Sequence, residues 1–447
     1  MNPTALPLPR LLAYALPALP LAIPTVGLYV LLPSWYVEQW GLALWLTGLL
    51  LMLARLSDLV TDPLIGYWLD QGRSVRYRHF IIGGALLCLP GLWLLIRPLA
   101  AQPALSLLLG SMLLYLGWTL VQVPYLSWLA ALSANSHQRA RAASWREGLG
   151  LLGLLLSALL PAIGLWLGAS TSEVLIWIAL ATVLLGAPAL MLLVRRTPLP
   201  DASTAVQTQC NTQTEIATTA CAQPKVQRVR NGLSLLKQPP VRLLLGSWLF
   251  NGIANGVPAV LFPLYISRTL GGEESDRGLM ILVYFGAAVL SLPLWLSLSR
   301  RFAKVKIWRG AMLFAVIAFV PATLLGPGDL LLFIPICILT GLALGADLAL
   351  PHALQADVCD WDYQQTGLQR RGLLFACWNA ANKLALAVAA LLGLGLLELA
   401  ERLFSDTSGL LLALIYAGVP CVMKLLAIVW LRDYPLKDTP HATRSPV

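Results

Sequence analysis

Apolar runs of about 20 residues recur along the whole of this 447-residue chain, and each is long enough to cross a hydrocarbon core of about 30 Å as a helix. Cutting the chain at its charged clusters places six such spans at roughly 11–33, 39–62, 79–99, 103–131, 143–168 and 173–194. Six more follow at roughly 241–268, 277–299, 307–326, 329–354, 372–398 and 408–431. The expected fold is therefore an all-α membrane protein of about twelve transmembrane helices in two six-helix bundles, 1–198 and 239–434. The stretch 199–238, rich in Thr, Ala and Gln from Pro200 to Gln223, is expected as a cytoplasmic linker, and 435–447 as a tail. The first run follows only Arg10 and is too long, without a clear cleavage site, for a signal peptide, so it is expected to stay as the first helix.

Composition excludes water as the only solvent. Only 12% of residues are charged, against about 25% in soluble domains, and 58% are hydrophobic. The net charge of +10 raises the question of nucleic acid, which the placement of the charges answers. Alternate loops carry 23 of the 31 basic residues, among them Arg73, Arg76, Arg78, Arg139, Arg141, Arg195, Arg196 and the group Arg300, Arg301, Lys304, Lys306, Arg309. The opposite loops carry four: Arg97, Arg268, Arg277 and Arg402. By the positive-inside rule the basic side is cytoplasmic, with both termini inside, in a plasma membrane or, in a bacterium, the inner membrane. Nucleic acid is not needed as a partner. Seven scattered cysteines show no zinc or disulfide spacing.

Charges inside the spans are the functional candidates, because they are costly in lipid and persist where they face a bundle interior or a watery cavity. Asp58 and Asp62 lie four apart in Arg55-Leu-Ser-Asp58-Leu-Val-Thr61-Asp62-Pro63, which puts both carboxylates on one helical face with Thr61 as a neutral oxygen beside them. They suit coupling-ion binding or proton relay; the structural alternative is that Asp62 caps the helix end and Asp58 pairs with Arg55. Lys383 stands in Trp378-Asn379-Ala-Ala-Asn382-Lys383, roughly 16 Å along its helix from Arg371, and calls for a carboxylate partner, with helix 2 the expected source. Arg146, Gln122, Asn251, Asn255, Tyr29, Trp128 and Asn379 complete the expected solute and charge network, although amides of this kind also simply bond neighbouring helices. Asp70 with Arg73, and Asp357 and Asp360 followed by Arg370 and Arg371, read as conformational gates made of ion pairs.

The order and spacing of Arg55-x-x-Asp58-x-x-x-Asp62-Pro63-x-x-Gly66 and of Asp357-x-x-Asp360-x-Asp362 with Thr366-Gly367-x-x-Arg370-Arg371-x-Gly372 resemble the glycoside-pentoside-hexuronide:cation symporter family, a melibiose permease-like branch of the major facilitator superfamily. The resemblance covers nearly the whole chain. It implies alternating access, a gradient of Na⁺, Li⁺ or H⁺ as the driving force, no cofactor beyond the coupling ion, a small-molecule solute, the lipid bilayer as surroundings, and a monomer. It assigns Asp58 and Asp62 to the cation site, Lys383 to the helix 11 lysine, Arg146 to the sugar-site arginine, and Asn251 and Asn255 to polar positions of helix 7. Two departures stand out. The family's sugar permeases carry an acid in helix 1, where Ala13 to Pro33 has none, and another in helix 4, where this chain has Gln122 before Pro124. Their absence speaks against a galactoside and for a more amphipathic solute such as a lysolipid. Rival readings are an intramembrane prenyltransferase-like enzyme, with the two Asp clusters binding Mg²⁺-pyrophosphate, and a scaffold with a degenerate transport fold.

Overall fold

A computed structural model describes residues 7–70, 75–132, 136–197, 238–299, 301–366, 371–404 and 408–435. Among them all regular structure is helical, and twelve helices are long and apolar enough to cross a membrane. They are α1 (Leu8–Trp40), α2 (Leu44–Asp70), α3 (Val75–Ile96), α4 (Pro103–Leu132), α5 (Ser136–Trp166), α6 (Thr171–Arg196), α7 (Pro239–Arg268), α8 (Glu274–Ser299), α9 (Lys304–Thr323), α10 (Leu330–Thr366), α11 (Arg371–Leu403) and α12 (Gly409–Trp430). The twelve expected spans are all present, and the differences lie at their ends. α10 runs past 354 to Thr366, because no glycine or second proline follows Pro351 to stop it. The acids Asp357, Asp360 and Asp362, expected in a loop after the tenth span, therefore sit in its last turns.

α1 is a broken helix, as its prolines dictate. Pro17, Pro20, Pro24 and Pro33 each lack an N–H, and the span divides into short α pieces around a π turn at Gly27–Leu31. Where these pieces meet, the Val26 amide finds a side chain, donating to Ser157 Oγ of α5 at 2.9 Å. The α5–α6 connection shows how short loops are closed. Gly168 takes φ +82°, a left-handed conformation open to glycine, as α5 ends. Two residues later Ser170 opens α6 with a capping box, its amide donating to Glu173 Oε2 at 2.7 Å.

Contacts divide the chain into two compact units. The first comprises Met1–Tyr36, Leu53–Leu160 and Ser170–Lys225; the second comprises Val37–Met52, Pro161–Ala169 and Val226–Val447. Most of the expected linker, 199–237, and the tail from 436 lie outside the described residues. Small residues let helices touch within each unit, as expected where lipid offers no hydrophobic drive to association. In the first unit, a Cβ added at Gly84 of α3 would stand 2.6 Å from the Gly117 carbonyl oxygen of α4. In the second, one added at Gly341 of α10 would stand 2.4 Å from the Tyr284 carbonyl oxygen of α8.

Candidate functional site

The first unit gathers the helix 2 carboxylates. Asp58 and Arg55 are buried on α2, each 7% exposed, and the Arg55 guanidinium lies 4.1 Å from the Tyr29 ring centroid of α1 and 5.1 Å from that of Tyr115 of α4. Tyr29 thus touches this cluster through a cation–π contact. One turn on, Asp62 accepts a hydrogen bond from Thr119 Oγ1 of α4 at 2.9 Å. Thr61 Oγ1 is buried and makes no hydrogen bond. Two carboxylates, two hydroxyls and one guanidinium on the α2 and α4 faces have the chemistry of a small cation or proton site.

Arg146 of α5 has its own surroundings. Its guanidinium donates to Glu147 Oε1 at 2.5 Å and to the Tyr14 hydroxyl of α1 at 3.5 Å, and Tyr125 of α4 donates its hydroxyl to the Tyr14 carbonyl at 2.9 Å. The acid at this arginine is its own neighbour in sequence, and α1 contributes a phenol. Gln122 accepts from Trp118 Nε1 at 3.0 Å along α4. Trp128 is fully buried against Tyr77, in a cluster with Leu11, Tyr14 and Tyr125. Its large apolar area favours that core position.

Of the expected gates, Arg73 and Arg370 lie outside the described residues, and Asp70 and Arg371 are described for the backbone alone. Asp357 forms an ion pair with Lys304 Nζ of α9 at 2.6 Å, and Asp360 is exposed on α10. Further charge pairs of the second unit were not legible in the motifs. Arg277, 5% exposed, forks onto both oxygens of Glu38 at 3.0 Å each, Arg268 donates to Glu401 at 2.8 Å, and Arg402 pairs with Glu398.

In the second unit Lys383 is half-buried on α11 and Asn379 is exposed one turn before it. Trp378 stacks on Trp248 of α7 with centroids 4.5 Å apart. The two asparagines of α7 are drawn into a cluster that no motif announces. Asn255 Nδ2 donates to Asp347 Oδ2 of α10 at 2.9 Å, and Lys424 Nζ of α12 donates to Asn251 Oδ1 at 2.7 Å and to Asp347 Oδ2 at 3.2 Å. Trp308 Nε1 of α9 donates to Asp347 Oδ1 at 2.7 Å. The signal available in sequence was the one that singled out Asp58, a charged residue inside an apolar run. Among the described residues no group of three or more His, Cys, Asp or Glu side chains gathers as a metal site would require.

Comparisons with known proteins agree with this architecture. The chain is 22% identical to an uncharacterized symporter of Synechocystis over 79% of its own length and 78% of that protein's. It is 31% identical to a protein of Escherichia coli named as a glycoside/cation symporter, over 28% of each. The crystal structure of a D-xylose-proton symporter superposes with a TM-score of 0.67 at 14% identity, over 96% of both chains, and shares the fold. The model of the MFS/sugar transport protein family matches residues 13–438, and the chain belongs to that family.

Proposed function

We propose that this chain is a cation-coupled symporter of a small organic solute that works by alternating access between two halves, and that it is a transporter and not an enzyme. Asp58, Asp62 and Thr61 hold the coupling cation, Na⁺ or H⁺, and no other cofactor is required. Arg146, Gln122, Tyr29 and Asn379, with Lys383, form the solute and charge network. The observation that carries the reading is the α2 pair itself: two carboxylates four residues apart inside a span, one held by Thr119, with the buried Thr61 hydroxyl free to accept or coordinate. The names of the relatives, symporters with glycoside and cation as cargo in one case, support it.

The phenol that α1 brings to Arg146, in place of a carboxylate, favours a solute with an apolar body over a neutral sugar gripped by paired acids. Both termini are proposed to face the cytoplasm, in the inner membrane of a bacterial cell, with a monomer as the working unit. The Lys and Arg asymmetry, 23 on one side against four on the other, supports that orientation. Uptake by reconstituted protein under an imposed Na⁺ or H⁺ gradient tests the reading. Asp58→Cys is expected to lose concentrative uptake while keeping equilibrium exchange, and full accumulation by that variant overturns it. A screen of solutes for thermal stabilisation, with and without Na⁺, identifies the cargo.

A further inference from the structure

Lys424 meets two oxygen acceptors from different helices. Its ammonium meets Asn251 Oδ1 at 2.7 Å and Asp347 Oδ2 at 3.2 Å, and Asn251, Asp347 and Lys424 are 0%, 5% and 8% exposed. An ammonium only donates, so whatever holds it must be built from acceptors carrying compensating charge. Asn251 shows that preference directly: its carbonyl oxygen is turned to the ammonium while its Nδ2 is buried with no hydrogen-bond partner. Leaving an amide NH₂ bare has a desolvation cost, and the cation is what offsets it.

Stability alone does not call for such a pair. Apolar residues of similar volume usually hold a bundle as well as a buried ion pair does, and ionisable residues inside a membrane mark function by default. Carboxylate and amide oxygens are also the ligands that hard metal cations take. Asp347 supplies one negative charge, which balances one monovalent cation. The remaining donors, Trp308 Nε1 at 2.7 Å and Asn255 Nδ2 at 2.9 Å, hold the carboxylate in place without neutralising it.

We propose that Asp347 and Asn251 form a second monovalent-cation site, within the second unit, which the native protein fills with the Lys424 ammonium as a tethered ion. Removing the ammonium leaves a fixed carboxylate oxygen and an amide oxygen, the ligands that Na⁺ or Li⁺ takes together with water. The tether makes the charge of the second unit permanent, so exchange of a free cation is left to other residues. The site stands whether or not Asp58 and Asp62 bind the coupling ion.

The test separates the two. In an Asp58→Asn background, purified protein with Lys424 intact is expected to melt at the same temperature in Na⁺, Li⁺ and choline at equal ionic strength. Adding Lys424→Ala is expected to create a dependence, with melting about 3 °C or more higher in Na⁺ or Li⁺ than in choline. Adding Asp347→Asn as well is expected to remove it. A folded Asp58→Asn, Lys424→Ala protein whose melting ignores Na⁺ and Li⁺ overturns the proposal. So does a Lys424→Ala protein that aggregates whether it is extracted in Na⁺ or in choline, because Na⁺ should replace the missing ammonium during folding. A native protein indifferent to Na⁺ counts only against the helix 2 site, and leaves the gain in the Lys424→Ala variant to be read on its own.

Discussion

The two units bury charge by different rules. In the first, Asp58 and Asp62 lie on one face of α2, Thr119 donates to Asp62, and the Arg55 guanidinium lies against the Tyr29 ring. In the second, Asp347 and Lys424 match one for one, and both carboxylate oxygens accept hydrogen bonds from side chains of α7, α9 and α12. Carboxylates set beside a buried hydroxyl that makes no hydrogen bond are suited to a charge that comes and goes, and a matched, hydrogen-bonded pair is suited to one that stays. Counting intramembrane charges is therefore not enough; the groups that hold each carboxylate decide what its cluster does.

Neutralising one carboxylate of each cluster has the largest expected effects, and they differ in kind. Asp58→Asn is expected to abolish gradient-driven accumulation while the protein still melts cooperatively, as measured by uptake and thermal unfolding together. Asp347→Leu is expected to act the other way, on the fold, because it strands a buried ammonium: about 3–5 kcal/mol of destabilisation, most of it recovered in the Asp347→Leu, Lys424→Met pair. A single variant as stable as the native protein would show that the pair is not the matched unit described above.

Smaller effects sharpen the contrast within the first unit. Thr119→Val removes a donor to Asp62 at 2.9 Å, a hydrogen bond to a charged group worth about 1.5 kcal/mol. The half-saturating cation concentration is expected to shift by about tenfold if the hydroxyl serves the site, whereas an unchanged cation titration with lowered melting would make it a helix clamp. At the packing level, Gly84→Val should lower melting, since its Cβ would stand 2.6 Å from the Gly117 carbonyl oxygen with backbone on both sides.

Much of this was legible in the sequence, for reasons that differ by element. The twelve spans follow from apolar length, and the breaks in α1 follow from Pro17, Pro20, Pro24 and Pro33. The far end of α10 is hidden in the sequence because Asp357, Asp360 and Asp362 are charged and so mark the end of an apolar run; an acidic helix continues beyond the hydrocarbon when nothing in it breaks a turn. Asp58 and Asp62 stood out because four residues set them on one face. Asp347 and Lys424 lie 77 positions apart on helices joined by no motif, so only the packing of α7, α9, α10 and α12 pairs them. Setting aside the loop residues, the 31 basic residues leave Arg55, Arg146, Lys383 and Lys424, which was the one sequence signal for the last. Arg146 takes as its acid the residue beside it in sequence, Glu147.

The finest test of the comparison is Arg55→Lys. The guanidinium is planar and lies 4.1 Å from the Tyr29 centroid and 5.1 Å from the Tyr115 centroid, a geometry an ammonium on a flexible stem does not reproduce. Losing such contacts costs roughly 0.5–1 kcal/mol, and a lysine released from the rings lies three residues from Asp58 on the same helix, where it competes with a free cation. The expected result is a rise of about threefold in the half-saturating cation concentration, read by titrating melting temperature. In the second unit the corresponding charge is already spent on its carboxylate, so the matching exchange, Lys424→Arg, should leave any cation titration where it was and lower stability instead, because the larger guanidinium must fit a site closed around an ammonium. Equal responses of the two variants, in either property, would mean that the two clusters follow one rule after all.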